Sequence, residues 1–150
     1  MDLTHREAER RLSTITTAII AFIGIMMFLS ANVYASFGDV TLTSPKSVDF
    51  NGKELVTIHV DEPVGFSSTL TNHGKSEQKF TYIVQILNEN GGTDYLEGLS
   101  ASLLPAQSFT ASQSWSPIES GRYVVQVFVW ESLGSAIPLT PVIQTEITVQ

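Results

Sequence analysis

The chain has 150 residues, a formal net charge of -7 and no cysteine. A length of this order accommodates one ordinary domain plus terminal segments. The acidic balance argues against nucleic-acid binding, which needs a basic surface to neutralise phosphates, and the lack of cysteine excludes disulfides, thiolate metal sites and cysteine nucleophiles.

An uncharged apolar segment dominates the N-terminal part of the chain. Residues 12–38, LSTITTAIIAFIGIMMFLSANVYASFG, contain no charged side chain. About 24 helical residues at roughly 1.5 Å each give about 36 Å, which exceeds the roughly 30 Å hydrocarbon core of a bilayer. We therefore predict a transmembrane signal-anchor helix over residues 12–35, which would contact the lipid bilayer.

The flanking charges predict the orientation of this helix. Three arginines lie within residues 1–11, and the next Lys or Arg is Lys46. By the positive-inside rule, residues 1–11 are cytoplasmic and residues 36–150 form an extracytoplasmic domain of a single-pass cell-membrane protein.

Two other interpretations of the apolar segment stay open. A cleavable signal peptide agrees with the small residues of VYA at 33–35, although the apolar run is longer than the usual 7 to 15 residues. A soluble core helix agrees less well, because the run has no polar stripe.

The remainder of the sequence has the alternation of β-strands. Turn signals such as NGK, NENGG and ESG separate the apolar-polar runs. We predict strands at residues 39–43, 54–60, 64–71, 79–88, 96–103, 107–115, 122–131 and 142–149. Seven or eight antiparallel strands in one such domain indicate an all-β, immunoglobulin-like two-sheet sandwich.

Three segments carry a family resemblance. They are EPVGFSSTLTNHGKSEQKFTYIVQI at 62–86, LLPAQSFTASQSWSP at 103–117 and SGRYVVQVFVW at 120–130. They resemble bacterial and archaeal immunoglobulin-like domains of the CARDB (cell-adhesion-related) type. The resemblance implies an exported binding or spacer module, and it leaves the partner unspecified.

Three local features predict details of this sandwich. Tyr123, just after Gly121, suits a tyrosine corner, in which its hydroxyl bonds back to the chain, or an ordinary buried tyrosine. Asn72 and Gly74 suit a turn that needs a left-handed residue. Trp115 ends a strand whose alternate residues point inward, so we predict a core position for it.

The outward faces of the predicted strands differ between the two sheets. In an immunoglobulin-like topology the strands 64–71 and 107–115 share one sheet, and their outward residues are mainly Ser and Thr. The strands 79–88, 122–131 and 142–149 share the other sheet and leave apolar residues outward. These residues, which we predict to bind a protein partner or a second copy, are Ile83, Leu87, Val124, Phe128, Trp130 and Val142.

Two arrangements would remove this surface. A β-bulge near Trp130 would reverse the facing of the side chains, and the loop 132–141 would cover the rings if it folded over them.

The sequence offers little for catalysis. His59 and Asp61 would share a strand face and supply two metal ligands, which are too few for a site. No Asp-x-Asp-x-Asp-Gly, Gly-x-Ser-x-Gly or His-Glu-x-x-His motif occurs. We predict a chain that is not an enzyme, with no catalytic residue, metal, cofactor or small-molecule substrate.

The function that follows is a membrane-anchored extracytoplasmic module for protein contacts at the cell surface, or an accessory subunit of a membrane complex. An alternative comes from RRLSTITTAIIAFIGI at 10–25, which resembles the N-terminal segments of archaeal type IV pilin-like proteins and archaellum stator components. Pilin processing prefers a small residue between the basic residues and the apolar run, whereas Leu12 directly follows Arg11.

These alternatives predict different mature N-termini. We expect the intact mass of the protein purified from membranes to include residues 1–11, because an anchor helix is not cleaved. A start near Leu12 or Ser13 would indicate a processed pilin, and a start near Ser36 would indicate a signal peptide.

Overall fold

Residues 37–150 form a β-sandwich. The computed structural model describes these residues, which make one compact unit with its own core and contain no helix. The strands are β1 (Val40–Leu42), β2 (Lys46–Val48), β3 (Val64–Asn72), β4 (Gln78–Asn88), β5 (Thr93–Leu103), β6 (Ser108–Trp115), β7 (Gly121–Trp130) and β8 (Ile143–Val149). The predicted all-β fold is confirmed.

The predicted transmembrane helix over residues 12–35 lies outside the described residues. From residue 37 onward, the chain has no helix of the length and apolar character needed to cross a bilayer.

The strands form two antiparallel sheets. Sheet A is built around β3, with β6 on one edge and with β1 and β2 in succession on the other. Sheet B has the order β5-β4-β7-β8. The predicted division is confirmed, because β3 and β6 share one sheet while β4, β7 and β8 share the other.

Two strand predictions near the N-terminal end of the sandwich are wrong. The predicted strands do not include β2, which continues the edge strand begun by β1 after a break at Pro45. The segment 54–60 is no strand and makes only isolated bridges, Val48 with Glu54 and Ile58 with Val149. Its alternating pattern is real, but no strand lies beside it over its length, and Val56 is fully exposed.

The core lies between the sheets and follows the alternation of the strands. The inward residues of β7 are Tyr123, Val125, Val127 and Val129, and all are buried. Trp115 is buried as predicted, with its ring 4.9 Å from that of Tyr123. The Tyr123 hydroxyl donates to the carbonyl of Glu119 at 3.0 Å, which confirms the tyrosine corner.

The two ends of the sandwich carry different loops. The Phe37 end, where the described chain begins, holds the β3–β4 turn (73–77), the β5–β6 turn (104–107) and the β7–β8 loop (131–142). The Gln150 end holds the β2–β3 loop (49–63), the β4–β5 turn (89–92) and the β6–β7 connection (116–120).

A buried asparagine organises the Phe37 end. The amide nitrogen of Asn72 donates to the carbonyls of Ser76 (2.9 Å), Leu103 (3.0 Å) and Leu104 (3.3 Å). Its side-chain oxygen accepts from the N–H of Gly74 at 2.9 Å. The predicted left-handed residue in this turn is wrong, because neither Asn72 nor Gly74 has a positive φ. The side chain makes the turn instead.

The pKa of each described tyrosine is raised. Burial raises the pKa of Tyr82, and its hydrogen bond to Ser68 offsets part of this effect. Loss of hydration raises the pKa of Tyr95 to about 12, with a further contribution from the Glu97 carboxylate that its hydroxyl contacts. Burial also raises the pKa of Tyr123, and the carboxylates of Asp94, Glu119 and Glu89 add to it.

Asn72→Ala is expected to destabilise the domain by about 3 kcal/mol, because it leaves buried carbonyls and one N–H without their partner. Urea unfolding of residues 36–150 measures the change. Asn90→Ala serves as the control, since Asn90 is exposed in the turn at the opposite end, and it should cost less than about 0.5 kcal/mol. Equal effects of the two variants would contradict the role assigned to Asn72.

The raised tyrosine pKa values predict alkaline unfolding. Because a native pKa above the unfolded value of about 10 favours the protonated form, this stabilisation is complete below about pH 10. It should be lost as the pH rises towards the native pKa of Tyr95, about 12. For residues 36–150, tyrosinate absorbance follows the ionisation of the tyrosines and circular dichroism follows unfolding. Tyr95→Phe should remove one of the tyrosine titrations. A titration midpoint at about pH 10 for every tyrosine of the folded domain would contradict the prediction.

Candidate functional site

The candidate site is the outer face of sheet B, the surface of β5, β4, β7 and β8 that points away from sheet A. The register aligns its side chains in rows across the strands. Next to the pair Ser102 and Lys79 at the Phe37 end is the row Ser100, Thr81 and Trp130, and the row after it is Gly98, Ile83 and Phe128.

An aromatic pair is the main apolar feature of this face. Phe128 and Trp130 are two residues apart on β7, so their side chains lie on the same side. Their ring centres are 6.0 Å apart and their planes are inclined at 65°, an edge-to-face arrangement that aromatic rings favour. Both side chains remain partly exposed. The sequence therefore predicted correctly the face on which they lie.

Ile83 differs from the other predicted contact residues because it is only 7% exposed. It lies opposite Phe128 on β7 and Gly98 on β5. A side chain at position 98 would approach the Ile83 Cγ1 atom to 3.2 Å, so glycine there leaves room for the isoleucine. Ile83 therefore supports Phe128 from the side and adds little surface of its own.

A row of glutamines divides the predicted contact residues into two groups. Gln85, Gln126 and Gln144 pair in register across β4, β7 and β8. Ile83 and the aromatic pair lie on the side towards the Phe37 end, and Leu87 and Val124 lie on the other side, both partly exposed. Val142 precedes β8 and is 46% exposed. The six residues share a face but do not form one uninterrupted patch.

One apolar residue of this face is not among the predicted contact residues. Leu96 on β5 is 58% exposed and pairs with Gln85 at the end of the glutamine row. The sequence predicts this strand from residue 96 onward and does not assign it to a sheet, so it gives no facing for Leu96.

The structure tests both arrangements that would remove the surface. The register of β4 with β7 continues without interruption to the pair Thr81 and Trp130, so no bulge reverses the facing of the rings. The bulge in sheet B lies instead between Ile86 and Leu87, where β4 pairs with β5. In the loop after β7, Leu139 returns along the strand and donates to the Val129 carbonyl at 2.8 Å, and its side chain is buried. Because the aromatic pair stays partly exposed, this loop leaves part of both rings accessible.

The outer face of sheet A has a different chemistry. Hydroxyl groups face one another between β3 and β6, with Thr69 and Thr110 oxygens 3.0 Å apart and Thr71 and Ser108 oxygens 2.8 Å apart. Such a surface satisfies its polar groups and remains compatible with water. The contrast makes sheet B the better candidate for a contact surface.

The residues considered for metal binding are not brought together in the described domain. His59 and Asp61 are exposed in the β2–β3 loop, so the strand face that would have aligned them does not exist. Among residues 37–150, no three His, Asp or Glu side chains converge in a way that would hold a metal ion. A cleft of about 520 Å³ at the Gln150 end is lined by Glu89, Asp94 and Glu119 beside Tyr123. The prediction that the chain is not an enzyme stays a prediction.

Comparison with solved structures identifies similar folds. The CARDB domain of the PF1109 protein from Pyrococcus furiosus, crystallised with di-metal ions, has a TM-score of 0.54 at 20% identity, covering 75% of this chain and 94% of that domain. The C-terminal domain of wzt has a TM-score of 0.57 at 10% identity, with 75% and 74% covered. The DNA glycosylase AlkC from Pseudomonas fluorescens, bound to DNA containing an abasic site analog, has a TM-score of 0.53 at 16% identity, covering 75% of this chain but 31% of that one.

These similarities establish the fold and no activity, because each identity is low. No protein-family model matches the sequence, and no curated protein is significantly similar to it. The described domain has a CARDB-like, immunoglobulin-like β-sandwich fold.

Proposed function

We propose that the chain is a single-pass, membrane-anchored extracytoplasmic module that binds protein through the outer face of sheet B. The partly exposed Phe128–Trp130 pair carries the proposal. Tryptophan and phenylalanine are enriched at the centres of protein interfaces, where they contribute large contact areas. The CARDB-like fold agrees with a binding or spacer role.

The composition of the face supports a protein partner. Val142 and Leu96 add exposed apolar area on either side of the aromatic pair, and the glutamine row adds neutral donors and acceptors. The charged side chains of the face, Lys79, Arg122 and Glu146, lie towards its margins. An apolar centre beside neutral polar groups is the usual composition of a protein interface. A second copy of the domain presents the same apolar and neutral polar groups, so it would also be a suitable partner.

Tethering increases the effect of a modest contact surface. A span over residues 12–35 holds every copy in the same membrane plane and close to its surface. This raises the effective concentration of neighbouring copies or subunits, so a weak contact is populated at low abundance.

Sedimentation equilibrium of residues 36–150 tests the contact surface. We expect the parent domain to self-associate and the variant Phe128→Ser with Trp130→Ser to be monomeric, because the change removes the apolar centre of the face. The matched control is Val56→Ser with Ile118→Ser, which removes two apolar side chains that are 100% and 77% exposed at the Gln150 end. This control should associate like the parent.

Folding of each variant is checked by circular dichroism, since both rings of the pair are partly buried. If the parent and both folded variants are monomers, homotypic pairing is excluded. Pull-down of full-length protein from detergent extracts, with and without the two ring substitutions, then tests a different membrane subunit as the partner. A partner retained equally by both forms would contradict the assignment of this face.

A further inference from the structure

Exposed apolar side chains lie at both ends of the sandwich, and at the Phe37 end they lie on separate segments. Leu104 is 59% exposed in the β5–β6 turn, and Leu133 and Ile137 are 66% and 53% exposed in the β7–β8 loop. Phe37, at the start of the described chain, is 38% exposed. The apolar surface therefore belongs to the end as a whole, and not to one loop.

Hydrogen bonds fix the backbone beneath these side chains. The Leu104 N–H donates to the side-chain oxygen of Gln107 at 2.8 Å, and its carbonyl accepts from Asn72. In the β7–β8 loop, the backbone N–H of Glu131 donates to the carbonyl of Ile137 at 2.8 Å. These hydrogen bonds hold the backbone in place. The side chains of Leu104 and Ile137 therefore stay exposed unless a surface from outside the domain covers them.

The charges of the two ends differ. The three loops of the Gln150 end contain six carboxylates and one lysine. Residues 37–39 and the three connections of the Phe37 end contain three carboxylates and one lysine. The exposed apolar residues of the Gln150 end, Phe50, Val56 and Ile118, therefore lie in the more acidic loops, which an anionic lipid surface repels.

The distance available to the linker is short. Between a span that ends at residue 35 and β1, which begins at Val40, lie four residues. A fully extended chain covers at most about 3.6 Å per residue, so these residues reach about 14 Å. The headgroup layer of one leaflet takes up roughly 5 to 7 Å of that distance.

We propose that the Phe37 end of the domain rests in the lipid headgroup region, with Leu104, Leu133 and Ile137 inserted towards the acyl chains. This inference rests on the proposed membrane anchor and adds a second membrane contact, made by the β-sandwich itself. The domain is then held in a fixed orientation, with the acidic Gln150 end pointing away from the bilayer. The outer face of sheet B is then perpendicular to the bilayer plane, where it can contact neighbouring proteins.

Site-directed fluorescence tests the inference on the full chain. Because the chain has no cysteine, single cysteines can be labelled without other changes. Leu133→Cys and the control Val56→Cys both replace exposed apolar residues, at opposite ends of the sandwich. A third variant, Gly24→Cys, reports on the predicted span. Each is reconstituted into phosphatidylcholine–phosphatidylglycerol vesicles that contain nitroxide-labelled lipids.

We expect the label at position 133 to be quenched several-fold more than the label at position 56, together with strong quenching at position 24. Equal, weak quenching at 133 and 56 with strong quenching at 24 would overturn the seating of the domain and leave the anchor intact. Weak quenching at all three positions would overturn the anchor and the seating together.

Discussion

The buried amide of Asn72 is the interaction on which the arrangement of the two sheets depends at the Phe37 end. The β3–β4 turn carries the chain from sheet A to sheet B, and the β5–β6 turn carries it back. One side chain binds the backbone of both connections, at Ser76 and at Leu103 and Leu104. Since the chain has no disulfide, this hydrogen-bonded junction and the apolar core must hold the sheets in register. At the opposite end, the hydrogen bond of the tyrosine corner joins Tyr123 to the carbonyl of Glu119.

Because these contacts hold the two sheets together from within, the outer faces of the sheets can differ in composition. The faces of β3 and β6 satisfy their hydroxyl groups against each other. The outer face of sheet B instead presents rings, and Gly98 leaves room for Ile83, which lies beside Phe128 and supports it. A ring that is already packed against a neighbouring side chain loses little conformational freedom on binding, which is a favourable property for a contact surface. Under the proposed function, stability and binding therefore depend on opposite faces of sheet B.

Most of the fold could be predicted from the sequence, because alternation marks a strand that has one buried face. The outward residues predicted for β4 and β7 do lie on the outer face of sheet B. The short β2 has too few residues to show a pattern, whereas residues 54–60 show one without a neighbouring strand. The burial of Ile83 depends on the cross-strand register with Gly98, and the Asn72 turn depends on a side chain reaching its own backbone. Both are properties of three-dimensional proximity, which a strand pattern does not contain.

The pairing of β3 with β6 affects how the domain folds. It joins residues as distant as Val64 and Trp115, and the pairing of β4 with β7 joins Thr81 to Trp130. Each of these pairings closes a large loop before any contact compensates the lost entropy, and sandwiches of such topology fold in milliseconds to seconds. The β4–β5 hairpin, closed by the turn from Asn88 to Gly92, is the local structure able to form first. Because Val149 of β8 belongs to the core, the domain cannot finish folding during synthesis until β8 has been made.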